Sequence, residues 1–288
     1  MNVDAALRDL EHADPRVRAQ AADALGRVDD PDRTAAIRAL VRACDDAHAA
    51  VRYAALLSLG ELAADSTVEA VAARLSDGEP LVREAATIAL GQVGSAPGAA
   101  IEVAWSALAE ALRVGAPEVR FQAVASLVEI SPARAVPLVL AALDDQDHKV
   151  RAQAAAALGD AGDPSVAEAL TALLDDADDV RYEAALALVR LGDRRGVPFL
   201  IRALGSSERA LDAATALAAL GLDGDPAMTA ALAREVGRFF GDPLVKVRAA
   251  EALARAGDPS GRAHLDKAAR SRRDDVRGLA QSVLETLK

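Results

Sequence analysis

The chain has 288 residues, 52% of them apolar but only 2% aromatic, and a net charge of −11. So much apolar material with so few rings favours closely packed helices rich in Ala and Leu over a sheet sandwich. No run of about 18 uncharged apolar residues offers a membrane span, and the acidic start MNVDAALRDLEHADP carries no export signal.

One cysteine, Cys44, excludes an internal disulfide framework, so a cytoplasmic location is expected. The charge is uneven. Residues 1–240 carry 23 Lys and Arg against 37 Asp and Glu, whereas residues 241–288 carry 10 against 7. The acidic body repels nucleic acid and anionic membrane at long range.

In chain order, the first clear element is VRAQAADALG, with Arg18 at what we call position zero. Small residues follow at +3, +4 and +6, Leu at +7 and Gly at +8. The frame returns at Arg52, Arg83, Arg120, Arg151, Arg181 and Arg277, with Lys246 in place of Arg, and in degenerate form at Ala210. The steps are 34, 31, 37, 31, 30, 29, 36 and 31 residues, so nine copies cover the chain. Such periodicity marks a repeat array.

Each copy reads as two helices. In Pro164–Gly192 the first is PSVAEALTALL, opened by Asp163 as N-cap and Pro164 at the first helical position. Val166, Leu170, Leu173 and Leu174 form its apolar stripe. The second is VRYEAALALVRL, stopped by Gly192. Asp-Pro openers recur at 14–15, 30–31, 225–226, 242–243 and 258–259. One pair cannot bury its apolar face alone, so the pairs must stack as a solenoid. We expect one all-α array over 1–288, with cap repeats at about 1–29 and about 258–288.

The unit of roughly 30 residues with V-R-x-x-A-x-x-A-L-G resembles the HEAT-like repeats of the phycobilin-lyase type over nearly the whole chain. The resemblance implies a right-handed α-solenoid whose second helices line the concave side. It is weak for function, because such repeats occur in scaffolds, chromophore lyases, iron hydroxylases and DNA glycosylases.

The basic residue at position zero, in Arg18, Arg52, Arg83, Arg120, Arg151, Arg181, Lys246 and Arg277, reads as a structural ladder. An acid often stands four residues before it, as Asp14, Glu79, Asp147 and Asp242, placed to cap the second helix and pair with the base of its own or an adjacent copy. The acidic loops 144–147 and 175–179 lack calcium-loop spacing and read as caps.

Positions +2, +5 and +9 point away from the core and carry the differences between copies. Copies two and three present Ala54, Leu57 and Glu61, then Ala85, Ile88 and Gln92. Copy four presents Gln122 and Glu129, and copy six presents Glu183, Leu186 and Arg190. Tyr53, Phe121 and Tyr182 stand at +1. An apolar patch rimmed by Glu and Gln suggests a partner-binding surface. Equally open is that Leu57, Ile88 and Leu186 pack against the next second helix and that +1 is half-buried. Trp105 and Phe240, in irregular copies, read as core filling.

The histidines His12, His48, His148 and His264 form no ligand pair, and no His-Glu step, P-loop, nucleophile elbow or dinucleotide fingerprint is present. We expect no catalytic residue, metal or cofactor, and no small-molecule substrate. The expectation is a non-enzymatic adaptor whose concave groove binds a protein with a basic or amphipathic segment. The alternatives are a bilin (tetrapyrrole) lyase subunit, from the resemblance, and a nucleic-acid-associated factor using the basic stretch Lys267–Arg277.

Overall fold

The computed structural model describes residues 3–29 and 32–287; the opener at 30–31 lies outside them. The described residues form eighteen α-helices and no strand, alternating as first and second helices of nine pairs. They divide into two compact units. No helix among them is long and apolar enough to cross a membrane.

The first unit, Met1–Ala157, holds α1 (Val3–Asp9), α2 (Pro15–Leu25), α3 (Arg33–Ala43), α4 (Ala49–Leu62), α5 (Val68–Ala72), α6 (Pro80–Ser95), α7 (Ile101–Val114), α8 (Pro117–Ile130), α9 (Pro132–Ala141) and most of α10 (His148–Ala161). The second, Leu158–Lys288, holds the end of α10, then α11 (Ala167–Ala172), α12 (Asp178–Arg190), α13 (Val197–Ala203), α14 (Ala210–Leu220), α15 (Pro226–Gly237), α16 (Pro243–Arg255), α17 (Pro259–Ala268) and α18 (Asp274–Thr286). Within each unit, second helices pack side by side, α2 on α4 on α6 on α8, and α12 on α14 on α16 on α18. This is the layering of an α-solenoid.

The core follows the repeat frame. The +7 leucines Leu25, Leu59, Leu90 and Leu127 are buried in the first unit, as are Leu188, Leu217 and Leu253 in the second. The +8 glycines set how closely the second helices approach. A methyl on Gly26 would lie 2.6 Å from Ser58 Oγ, and one on Gly91 2.8 Å from Ser126 Oγ. Those hydroxyls, at +6 of the next copy, donate to the carbonyls of Ala22 at 3.0 Å and Thr87 at 3.1 Å. The recurring phrase is thus a packing instruction: a missing Cβ in one helix seats a small side chain of the next.

The helix ends also follow their residues. Asp14, Asp163, Asp225, Asp242 and Asp258 each accept a backbone N–H two residues on. Gly192 stops its helix at φ +81°. The first helix expected over Pro164–Leu174 differs. It is a 3₁₀ turn (Pro164–Val166), the short α11, and a second 3₁₀ turn (Leu173–Asp175), as tight turns replace the ends of a short helix.

Trp105 is buried, with the Arg134 guanidinium 4.1 Å from its ring centre. Phe240 corrects the expectation of core filling: it is 94% exposed and Phe239 88%. Both lie in the short turn between α15 and α16, and Met228 and Leu232 fill the core beneath. Cys44 is buried, and burial pushes its thiol up to about 12.

Candidate functional site

The ladder comes first, because it fixes the second helices that carry the site. Arg18 donates from Nε and NH2 to Asp46 at 2.7 and 2.8 Å. Arg52 grips Asp77 at 2.8 and 2.7 Å, and Arg120 grips Asp145 at 2.7 and 2.7 Å. Each acceptor lies six residues before the next copy's base and also accepts a backbone N–H of its own turn, from His48, Glu79 or Asp147. The third guanidinium nitrogen reaches back to carbonyls of its own turn. NH1 of Arg52 donates to Asp46 O, and NH1 of Arg151 to Asp145 O. Arg83 uses Glu118 instead, because Val114 stands where the aspartate would be.

Of the two jobs expected of the acids four residues before the base, capping the helix and pairing with the base, the structure keeps the first, and the pairing passes to acids further along. Asp14, Asp147 and Asp242 turn onto the N–H groups of Arg16, Lys149 and Leu244 as helix caps, and Glu79 makes no cap. In the second unit the pattern changes. Arg181 bonds the carbonyls of Leu174 and Asp176, with Asp178 at 3.7 Å. Lys246 bonds the carbonyl of Arg238, and Arg277 pairs with Asp274.

On the outward face of α4, α6 and α8, Tyr53 is 39% exposed and Phe121 37%. Both stand at +1, with Glu84 between them on α6. Leu57 and Ile88 form the next row and are half-buried, as is Ala54. Glu61 and Glu129 are exposed at +9. Gln92, between them, is half-buried and leans over Gly60 of α4, and its Oε1 is buried without a hydrogen-bond partner. Gln122 is half-buried in the same face.

Three residues expected on the surface are not there. Ala85 is buried, its methyl recessed in a helix flanked on both sides by α4 and α8. Leu186 is buried on α12, in the layer beside α14. Tyr182 is buried with its hydroxyl donating to the Arg209 carbonyl at 3.3 Å and the Arg209 guanidinium 4.7 Å from its ring. Glu183 is half-buried, and desolvation holds its carboxyl above the usual range. Arg190 is exposed and pairs with Asp160 at 2.7 Å.

Sequence reading missed a charged knot on the same face of α16. There Glu251, buried at +5, is held by Arg248 at 2.8 Å and Arg255 at 2.7 Å. Its +2, +5, +9 spacing was the available signal. Among the described residues, no cluster of His, Cys, Asp and Glu suits a metal ion.

The family model for HEAT repeats matches residues 37–113 and 105–189, and the model for the PBS lyase HEAT-like repeat matches 180–206. No curated protein matches the chain. Among solved structures it is similar to YibA of Escherichia coli, at 19% identity and a TM-score of 0.64, over 93% of this chain and 95% of that one. Importin β matches at 15% identity and a TM-score of 0.61, over 99% of this chain and 46% of that one. The CpcE–CpcF complex of phycocyanin lyase from Nostoc matches at 20% identity and a TM-score of 0.49, over 100% and 95%. At these identities the likenesses to YibA and importin β speak for the fold alone. With family models spanning more than half of its length, the chain belongs to the HEAT repeat proteins.

Proposed function

We propose that the chain is a scaffold or adaptor that binds a partner protein on the outward face of α4, α6 and α8. The observation that carries this reading is the exposure of Tyr53 and Phe121 at one register position, over the half-buried row of Leu57 and Ile88. Large rings fixed on a rigid face are what binding hot spots are made of. Glu61 and Glu129 fence the row, so the fitting partner is a basic, amphipathic segment laying its apolar side on the rings. The ladder supplies the rigidity: ordering this surface costs little on binding, because its helices are already tied together.

Affinity capture with the tagged chain, compared with the double variant Tyr53→Ser/Phe121→Ser and with Glu61→Lys/Glu129→Lys, tests the reading. Partners identified by mass spectrometry should be lost from both variants; partners retained by both would sink the assignment. The lyase-type repeat at 180–206 favours a second reading, a tetrapyrrole-handling subunit. Incubation with bilin or haem, followed by gel filtration, tests it: a coloured, stable protein fraction would displace the scaffold reading.

A further inference from the structure

Arg18, Arg52, Arg83 and Arg120, each at position zero, take a carboxylate from the following copy. At α16 that rule fails on both sides. The base is Lys246 rather than Arg. The place six residues before Arg277, where Asp46, Asp77 and Asp145 stand in their copies, is Ser271. The Lys246 ammonium bonds the Arg238 carbonyl and, among the described residues, has no carboxylate partner.

The gap opens into a groove between α16, α17 and the start of α18, walled by Lys246, Lys267 and Arg270. Neither Lys267 nor Arg270 forms an ion pair among the described residues. Asp266, the one acid on the wall, lies 3.6 Å from Arg262. Pro243, Ala263, Ala268 and Val276 supply apolar lining. His264, also on the wall, is held below its usual value by burial and by the nearby charges of Lys246 and Lys267. The Lys246–Arg238 bond also ties the groove to the turn that carries Phe239 and Phe240. Those rings pack edge to face at 4.7 Å and are otherwise bare.

We propose that this groove docks an acidic segment of a partner protein. A Glu or Asp carboxylate takes the seat that the ladder aspartate fills elsewhere, and an apolar side chain packs on the Phe239–Phe240 pair. The chemistry selects a peptide. The cations are gathered round one apolar groove rather than strung along a stripe, and residues 1–240 carry 37 acids against 23 bases, which repels an extended polyanion. The site lies in the second unit and is basic, whereas the α4–α6–α8 face lies in the first and is fenced by acids, so the two surfaces suit partners of opposite charge.

The test uses the full chain and a fluorescent random copolymer of Glu and Tyr, followed by anisotropy at physiological salt. Poly-Glu, a short DNA duplex and phosphatidylserine vesicles are the competitors. The copolymer should bind more tightly than each of them. Lys267→Glu/Arg270→Glu should weaken it about tenfold or more, as reversing rim charges does. Phe239→Ser/Phe240→Ser should reduce it to the level of poly-Glu. All four positions are exposed, and circular dichroism should show both variants folded. Tyr53→Ser/Phe121→Ser should leave this binding unchanged, which separates failure here from failure of the first surface. Equal binding by the charge-reversed variant, no binding of the copolymer, or tighter binding of DNA or vesicles would each overturn the proposal.

Discussion

Arg52 holds Asp77 by two parallel bonds, Nε to Oδ2 at 2.8 Å and NH2 to Oδ1 at 2.7 Å, while its NH1 donates to the Asp46 carbonyl at 2.9 Å. One side chain therefore joins two successive inter-helix turns, 6 residues back and 25 ahead. The Asp77 side chain is only 6% exposed. Asp77→Ala leaves the Arg52 charge unpaired and the Glu79 N–H without its acceptor, and should cost about 2–4 kcal/mol. Arg52→Met/Asp77→Leu should cost less than the two single changes together, by about 1–3 kcal/mol. Urea unfolding of the four proteins measures the coupling; additive single changes would count against the ladder as a unit.

The same bonds set an acid limit. Hydrogen bonds from Arg18, Arg52 and Arg120 hold Asp46, Asp77 and Asp145 below the usual carboxylate range. A carboxylate with a depressed folded value contributes stability that is complete above its unfolded value, near 4, and disappears as the pH falls through the folded value. The melting temperature should therefore be flat through neutral pH and drop below about pH 4. Asp77→Asn should lower the neutral plateau and make the acid drop shallower. A parallel downward shift of the whole curve would contradict the linkage.

The repeat frame was legible because the core positions +3, +4 and +7 obey the helical period, and Gly and Asp-Pro mark the ends. The ladder base was legible too, but its partner was not. Asp14 and Asp46 look alike beside their arginines, yet the acid four residues back bends onto the helix N-terminus. The acid six residues back is left facing the previous copy, 28 residues away for Arg18. Only the stacked geometry separates these roles. The outward face was legible as an angle but not as a depth. Leu57 and Leu186 share position +5, and the neighbouring helix covers one more than the other. Phe240 was misread because composition says that a ring should be buried, and the short turn between α15 and α16 gives it nothing to be buried against.

Close helix approach makes glycine replacement diverge by position. A methyl on Gly159 would lie 2.6 Å from both Cα and Cβ of Ala187, and backbone cannot step aside. Gly159→Ala should cost about 1–3 kcal/mol. Gly278, inside α18, has open space around its missing Cβ, so Gly278→Ala should stabilise by about 0.5–1 kcal/mol through helix propensity alone. Thermal unfolding of both variants checks the pair, and equal shifts would mean that the second helices are not in the stated contact.

Glu183 offers a test of how dry the α12 surface is. Burial raises its carboxyl first, the charges of Asp212 and Asp160 add to that, and Arg190 and Arg209 oppose it. An acid whose folded value lies above its unfolded one weakens the fold above the folded value, and the penalty fades as the pH falls through the folded value and is gone below the unfolded one. Glu183→Gln, which keeps the shape and removes the charge, should therefore melt higher than the parent at neutral pH, with the gap closing towards pH 4. A variant that melts lower at neutral pH would show that the Arg190 and Arg209 charges outweigh desolvation. Glu183 would then be a held ion, available to present its charge to a partner, rather than a half-sealed carboxyl beside the buried Tyr182 and Leu186.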